Sequence, residues 1–243
     1  MATPLTDSIN ALTAYANEVT GASDTTLSDA VHTLASGYGQ GGYAPNGYIR
    51  LLYLESSGVQ GIDTGKYLKL NSKFVIDCCH VPGNYGYYAF IFGSANPLVY
   101  ADTITGANEF TTSNGYWKFG NSSENSFSLI HHNRGILELT KNSGTYHNYD
   151  FQTITCSVTL NATSVEENPN SHLCLFCRGN EGLYERFATC RIYEYWYYED
   201  DVLIQHMIPV KRKSDNVLGM YDLVEDVFYT NIGTGTFIEG AWI

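Results

Sequence analysis

The sequence predicts an all-β sandwich preceded by a short helical segment, and three observations carry that expectation. From Tyr48 onward, short runs rich in β-branched and aromatic residues alternate with turn residues, the pattern of a sandwich or barrel. A helical period occurs only before Gly37. The stretch Ile208 to Phe237, IPVKRKSDNVLGMYDLVEDVFYTNIGTGTF, is a dense series of turn and strand signals with hardly any catalytic-looking residue.

The elements follow in order. Leu5, Ile9, Leu12, Ala16 and Val19 fall on one helix face, with Thr3 as N-cap, Pro4 at the first helical position and Gly21 as terminator. A second helix starts at Thr26, where Asp29 completes a capping box, and Leu27, Val31 and Leu34 form its stripe before Gly37. Residues 1–37 therefore read as a helical attachment or oligomerisation module. Helices this short are marginal alone, so they need a partner surface, either the sandwich of their own chain or another protein. Residues 38–47 read as a Gly-rich linker, and residues 48–243 as the sandwich.

The clearest strands are Tyr48 to Leu54, Lys73 to Cys79, Tyr87 to Phe92, Phe127 to His131, Ile136 to Thr140, Thr153 to Leu160, Ser171 to Cys177, Phe187 to Tyr198 and Val202 to Pro209. These are too many for one open sheet. Cys190 to Tyr198 and Val202 to Val210 form the best hairpin, joined at Glu199-Asp200-Asp201. Alternation puts Ile192, Glu194 and Trp196 on one face and Arg191, Tyr193, Tyr195 and Tyr197 on the other. Further on, Ser214 to Asn216 and Glu225-Asp226 read as turns around strands at Val217 to Leu223 and Val227 to Tyr229. Gly233-Thr-Gly235 closes the series as a bulge or turn.

Together with Tyr48 to Gly65, YIRLLYLESSGVQGIDTG, the Ile208 to Phe237 stretch resembles a concanavalin A-like (laminin-G-like) jelly-roll domain of bacteriophage tail and virion proteins and related gut-bacterial proteins. The resemblance implies a two-sheet jelly-roll sandwich and a non-enzymatic role on a tail, fibre or capsid. It implies other virion subunits, or the chain itself as a homo-oligomer, as partners, with the helical face (Leu5, Ile9, Leu12, Val19, Leu27, Val31, Leu34) as the attachment device. A host cell-surface glycan is a further implied partner, and a carbohydrate-binding lectin module is the alternative function. The virion is the implied location, after synthesis in a bacterial cytoplasm.

Composition narrows the field. The 243 residues are 44% hydrophobic and 16% charged, a globular balance. Twenty-five acidic against 13 basic residues give a net charge of -12, which repels a phosphate backbone, so nucleic acid is not an expected partner. Lys211-Arg212-Lys213 reads as a short solvated run. No apolar run is long enough to span a bilayer, and Met1 to Asn10 lacks a signal-peptide pattern. The six cysteines, Cys78, Cys79, Cys156, Cys174, Cys177 and Cys190, then fit buried free thiols.

Tyrosine is over-represented, with 20 residues against 11 phenylalanines, a composition that suits rings with one wet edge at a binding surface. Tyr85, Tyr87 and Tyr88 around Gly86 can stack on a sugar or a protein neighbour, as can Tyr193, Tyr195 and Tyr197; a Tyr-lined outer sheet is the structural alternative. Glycosidases of jelly-roll type need two carboxylates. Glu194 is the only strand-centred acid with aromatic neighbours and reads as a satisfied structural carboxylate, so no catalytic residue is expected. On one strand, the Cys174 and Cys177 thiols of Cys-Leu-Phe-Cys point to opposite faces, which suits neither redox nor zinc chemistry. His131-His132, His147 and His172 have no metal-ligand spacing. Asp102, Asn108 and Glu109, in a loop-rich stretch, are the one place for a loop calcium. No metal or cofactor is predicted.

Overall fold

A computed structural model of the chain describes residues 44–81, 89–95, 98–104, 112–123, 125–130, 133–148, 153–166 and 168–243. The expected helical module, most of the linker, and Tyr85, Tyr87 and Tyr88 lie outside the described residues.

The first strands are β1 (Tyr48–Arg50), β2 (Leu54–Ser57), β3 (Ile62–Asp63), β4 (Ser72–His80), β5 (Ala89–Ala95), β6 (Leu98–Ile104), β7 (Thr112–Phe119), β8 (Asn125–Ile130) and β9 (Arg134–Thr140). They are followed by β10 (Ser143–Asn148), β11 (Thr153–Thr159), β12 (Cys174–Leu175), β13 (Arg178–Asn180), β14 (Leu183–Glu185), β15 (Thr189–Glu199), β16 (Val202–Arg212), β17 (Leu218–Asp222), β18 (Val227–Thr230) and β19 (Ile238–Glu239). One sheet has the order β11-β10-β9-β4-β15-β16-β17-β18, with β1 on β16 and β2 between β15 and β19. The second has the order β14-β13-β5-β6-β7-β8, with β12 joining β3 to β5. Among the described residues no helix is long and apolar enough to cross a membrane.

The core lies between the sheets because each long strand alternates. On β4, Phe74, Ile76 and Cys78 face inward and are at most 2% exposed. They meet Phe92 of β5, whose ring centroid is 4.6 Å from that of Phe74, and Trp117 and Phe119 of β7, both buried. Tyr197 stacks on Phe74 at 5.2 Å with an interplanar angle of 7°. This layer of interleaved rings holds the two sheets together through area removed from water.

The predicted hairpin forms, with Asp200 and Asp201 as its two-residue turn at φ 48° and 63°, the left-handed pair that matches strand twist. Only its distal half pairs as expected, from Tyr195↔Met207 to Glu199↔Val202; the proximal half of β15 pairs with β2 instead. A β-bulge between Ile192 and Glu194 then breaks the expected alternation. One extra residue in the strand moves everything after it to the other face, so Ile192 points inward together with Tyr195 and Tyr197, not with Glu194 and Trp196. Tyr195 and Tyr197 are 0% exposed core residues, which corrects their assignment to a binding surface. Tyr193, on the bulge, lies under the Arg134 guanidinium, 3.9 Å from its ring centroid, and edge-on to Tyr53.

Other expectations shift for local reasons. The predicted strand Ser171 to Cys177 is reduced to Cys174–Leu175, because Phe176 adopts φ 64° and turns the chain. That turn brings the Cys174 and Cys177 thiols near each other, where an unbroken strand would have pointed them apart, and the Cys174 thiol donates to the His172 carbonyl at 3.7 Å. Cys78, Cys79, Cys174, Cys177 and Cys190 are free and buried. Asp102 lies on β6 rather than in a loop, while Asn108 and Glu109 fall outside the described residues. Among the described residues no group of His, Cys, Asp and Glu is arranged to hold a metal.

Candidate functional site

A cleft of about 580 Å³ opens at the end of the second sheet, between the β13–β14 hairpin and the turn before β12, lined by Asp63, Asn168, Asn170, His172, Glu181 and Tyr184 among others. Its floor is built by strand pairing. Asp63 on β3 is opposite Cys174 on β12, and Thr64 clamps the approach to β12 through its Oγ1, 2.8 Å from the Leu173 carbonyl. The turn is held from below by Ser171, wholly buried, whose carbonyl accepts from Ser94 Oγ at 3.0 Å. Asn168 Oδ1 caps the same turn by accepting from the Asn170 backbone N–H at 3.0 Å.

The wall is the β13–β14 hairpin, with Glu181 at φ 49° and Gly182 at φ 84°. This is a two-residue turn that needs glycine at its second position, and it carries the Glu181 carboxylate to the rim. Gly179 fixes the distance between wall and floor: a Cβ there would lie 2.3 Å from the His172 carbonyl oxygen, so only glycine allows the close approach.

At the centre Asp63 accepts from three groups. His172 Nδ1 lies 2.9 Å from both carboxylate oxygens, Tyr184 Oη donates to Oδ2 at 2.6 Å, and the Gly65 N–H donates to Oδ1 at 2.8 Å. A carboxylate can only accept, so Nδ1 carries the proton of this contact and Nε2 is turned toward the cleft's open side. His172 remains 37% exposed over an Asp63 that is 18% exposed, which leaves the imidazole reachable from solvent. Burial, then the hydrogen bond to Asp63, pushes the Tyr184 phenol upward, so it stays a donor. Leu183, 69% exposed, adds an apolar patch to the rim.

The arrangement offers amides, an imidazole, a carboxylate and an aromatic ring beside an exposed Leu. It suits a polyhydroxylated ligand with an apolar edge. The Asp63 oxygens are occupied by His172, Tyr184 and Gly65, so this carboxylate positions its neighbours rather than presenting a nucleophile.

Glu194, the acid singled out from sequence, is remote from this cleft on the outer face of the first sheet. It pairs with Arg50, and His206 Nε2 lies 3.7 Å away, an ion-pair distance. Trp196 stacks on His206 at 5.2 Å. Of the tyrosines named from sequence, the described ones, Tyr193, Tyr195 and Tyr197, do not line the cleft. The missed signals were Asn168-Pro-Asn-Ser-His172, a turn signature, and Glu181-Gly182, a hairpin turn between two very short strands. The sequence places His172 and Asp63 109 residues apart, and only the β3–β12 ladder joins them.

The strand order and its two packed sheets have relatives among solved structures. A candidate carbohydrate-binding protein of Bacteroides ovatus ATCC 8483 superposes with a TM-score of 0.50 at 12% identity, covering 80% of this chain and 61% of that one. The chain has the concanavalin A-like jelly-roll fold. Also similar are the native heptameric SAP-like pentraxin of Limulus polyphemus, with TM-score 0.47, 9% identity and coverage of 79% and 94%, and the extracellular region of zebrafish Gpr126/Adgrg6, with TM-score 0.45, 12% identity and coverage of 80% and 26%. At such identities the likeness speaks for the fold alone. No protein-family model matches the jelly roll or any other part of the chain, and no curated protein matches it in sequence.

Proposed function

We propose that this jelly roll is a non-enzymatic carbohydrate-binding module and that the Asp63–His172–Tyr184 cleft is where the sugar sits. The observation that carries the reading is the cleft itself: a carboxylate that orients an imidazole and a phenol, ringed by Asn168, Asn170 and Asn180. Side chains pre-organised in this way accept and donate to sugar hydroxyls without first losing rotamer freedom. The lectin-like fold supports the same reading at a coarser level. A glycosidase reading would have to use Asp63 and Glu181, the two carboxylates of the cleft, but Asp63 is already engaged by His172, Tyr184 and Gly65, and Glu194 is elsewhere. The test is a glycan panel followed by calorimetric titration of any hit. His172→Ala and Tyr184→Phe each lower affinity about tenfold, the worth of one good hydrogen bond. Unchanged affinity in both variants moves the site elsewhere.

A second reading rests on the resemblance of Tyr48 to Gly65 and Ile208 to Phe237 to bacteriophage tail and virion proteins. In it the sandwich is a virion component, and the amphipathic residues from Leu5 to Leu34 join it to itself or to neighbouring subunits. Several copies on one particle would turn weak sugar binding into avidity, so the two readings are compatible. Light scattering of the full chain against a form beginning at Tyr43 tests it: an oligomer reduced to a monomer by the truncation supports assembly, and two monomers remove self-association.

A further inference from the structure

We infer that the cleft selects glycans bearing an unacetylated amine, that is, amino sugars, over neutral or acidic ones; the inference rests on the glycan-binding reading and adds the charge of the ligand. Two carboxylates, Asp63 on the floor and Glu181 on the rim, line the cleft, and among the described residues lining it there is no Lys or Arg. The cations nearby in sequence are committed elsewhere. Arg178 Nε donates to Glu185 at 3.0 Å, with its guanidinium over the Phe90 ring at 4.9 Å. Lys66 pairs with Glu225.

Glu181 is not a wandering surface acid. The left-handed turn of the hairpin fixes its backbone, and Asn168, across the cleft mouth, donates to its Oε1 at 3.4 Å. A sugar seated on His172 and Tyr184 therefore has the Glu181 carboxylate at its edge. The net charge of -12 adds a long-range field of the same sign. An ammonium group gains charge attraction from both, a hydroxyl can hydrogen-bond but gains no such attraction, and a uronate or sialate carboxylate is repelled. An N-acetyl group removes the charge and so removes the preference.

The experiment compares three tetrasaccharides of equal length by titration into the full chain at pH 6.0, where the sugar amine is cationic: glucosamine, N-acetylglucosamine and galacturonate. The glucosamine tetramer is expected to bind about five- to tenfold more tightly than the acetylated one in low salt, with the gap closing in 0.5 M NaCl. Glu181→Gln should close the same gap, whereas Asp201→Asn, an equal charge change at the distant β15–β16 turn, should leave it, which separates the cleft from general attraction to an acidic protein. Equal affinity for the acetylated tetramer, tighter binding of galacturonate, or equal effects of the two substitutions would overturn the charge selection while leaving a glycan-binding cleft in place. Binding of none of these, together with no hit on the wider panel, removes the glycan-binding reading and this inference with it.

Discussion

Gly144 on β10 sits directly against Trp117 of the opposite sheet, and a Cβ built there would lie 1.5 Å from the indole Cε3. Trp117 is 1% exposed and surrounded by core, so it cannot swing away without opening the sandwich. Gly144→Ala is expected to cost about 1–3 kcal/mol, the usual penalty of overpacking, read as a lower urea midpoint at unchanged slope. The thiols give a second single-residue forecast. Burial pushes Cys78 and Cys190 well upward and Cys79 to about 11, while the hydrogen bond with Cys177, then burial, raises Cys174. Reactivity needs an exposed thiolate, so Ellman's reagent at pH 8 should find at most Cys156 in the native chain and all six cysteines after unfolding. Two or more fast thiols would show that the sandwich opens readily.

Turns and bulges govern how the strands are used. In the β15–β16 turn both Asp200 and Asp201 hold positive φ, but only Asp200 has a side-chain anchor, Asn71 Nδ2 at 2.7 Å from its Oδ1. Asp201→Gly should therefore stabilise the hairpin by about 0.5–1 kcal/mol, because glycine enters the left-handed region without Cβ strain, seen as a higher melting temperature; a fall would mean that the Asp201 side chain matters to the turn. The hairpin was legible in the sequence because Glu199-Asp200-Asp201 separates two alternating runs. The bulge after Ile192 was not, since Arg191 to Tyr198 alternates without any Gly to mark the extra residue. The consequence is large: one unmarked residue sends Tyr195 and Tyr197 into the core. The β13–β14 hairpin was missed for the opposite reason, as strands of three residues leave no period to read.

For the molecule as a whole, two sets of groups set the pH limits. Burial raises the Glu194 carboxyl, but His206 and the Arg50 guanidinium outweigh it and hold the group below the ordinary glutamate value. A depressed carboxyl contributes stability above its unfolded pKa, about 4.3, and loses it as pH falls through the folded value. Tyr193 is pushed up to about 12, chiefly by burial, and burial drives Tyr195 further. A raised phenol contributes stability that is complete below its unfolded pKa, about 10, and is lost as pH rises through the folded value. Stability should thus be flat near neutrality, fall below about pH 4 and fall again above about pH 10. Glu194→Gln should flatten the acid limb, and a denaturant series across pH measures both.

Composition and local pattern were enough to determine a β-sandwich, the turns of the Ile208 to Phe237 segment and a net negative charge. These depend on side-chain period, turn chemistry and net charge, which are properties of neighbours along the chain. The tertiary structure alone decided which tyrosines are core, that the Cys174 and Cys177 thiols meet, and that Asp63, His172 and Tyr184 form one cleft. Each of these depends on register between strands far apart in sequence, where a single bulge or left-handed residue changes the face that a side chain occupies.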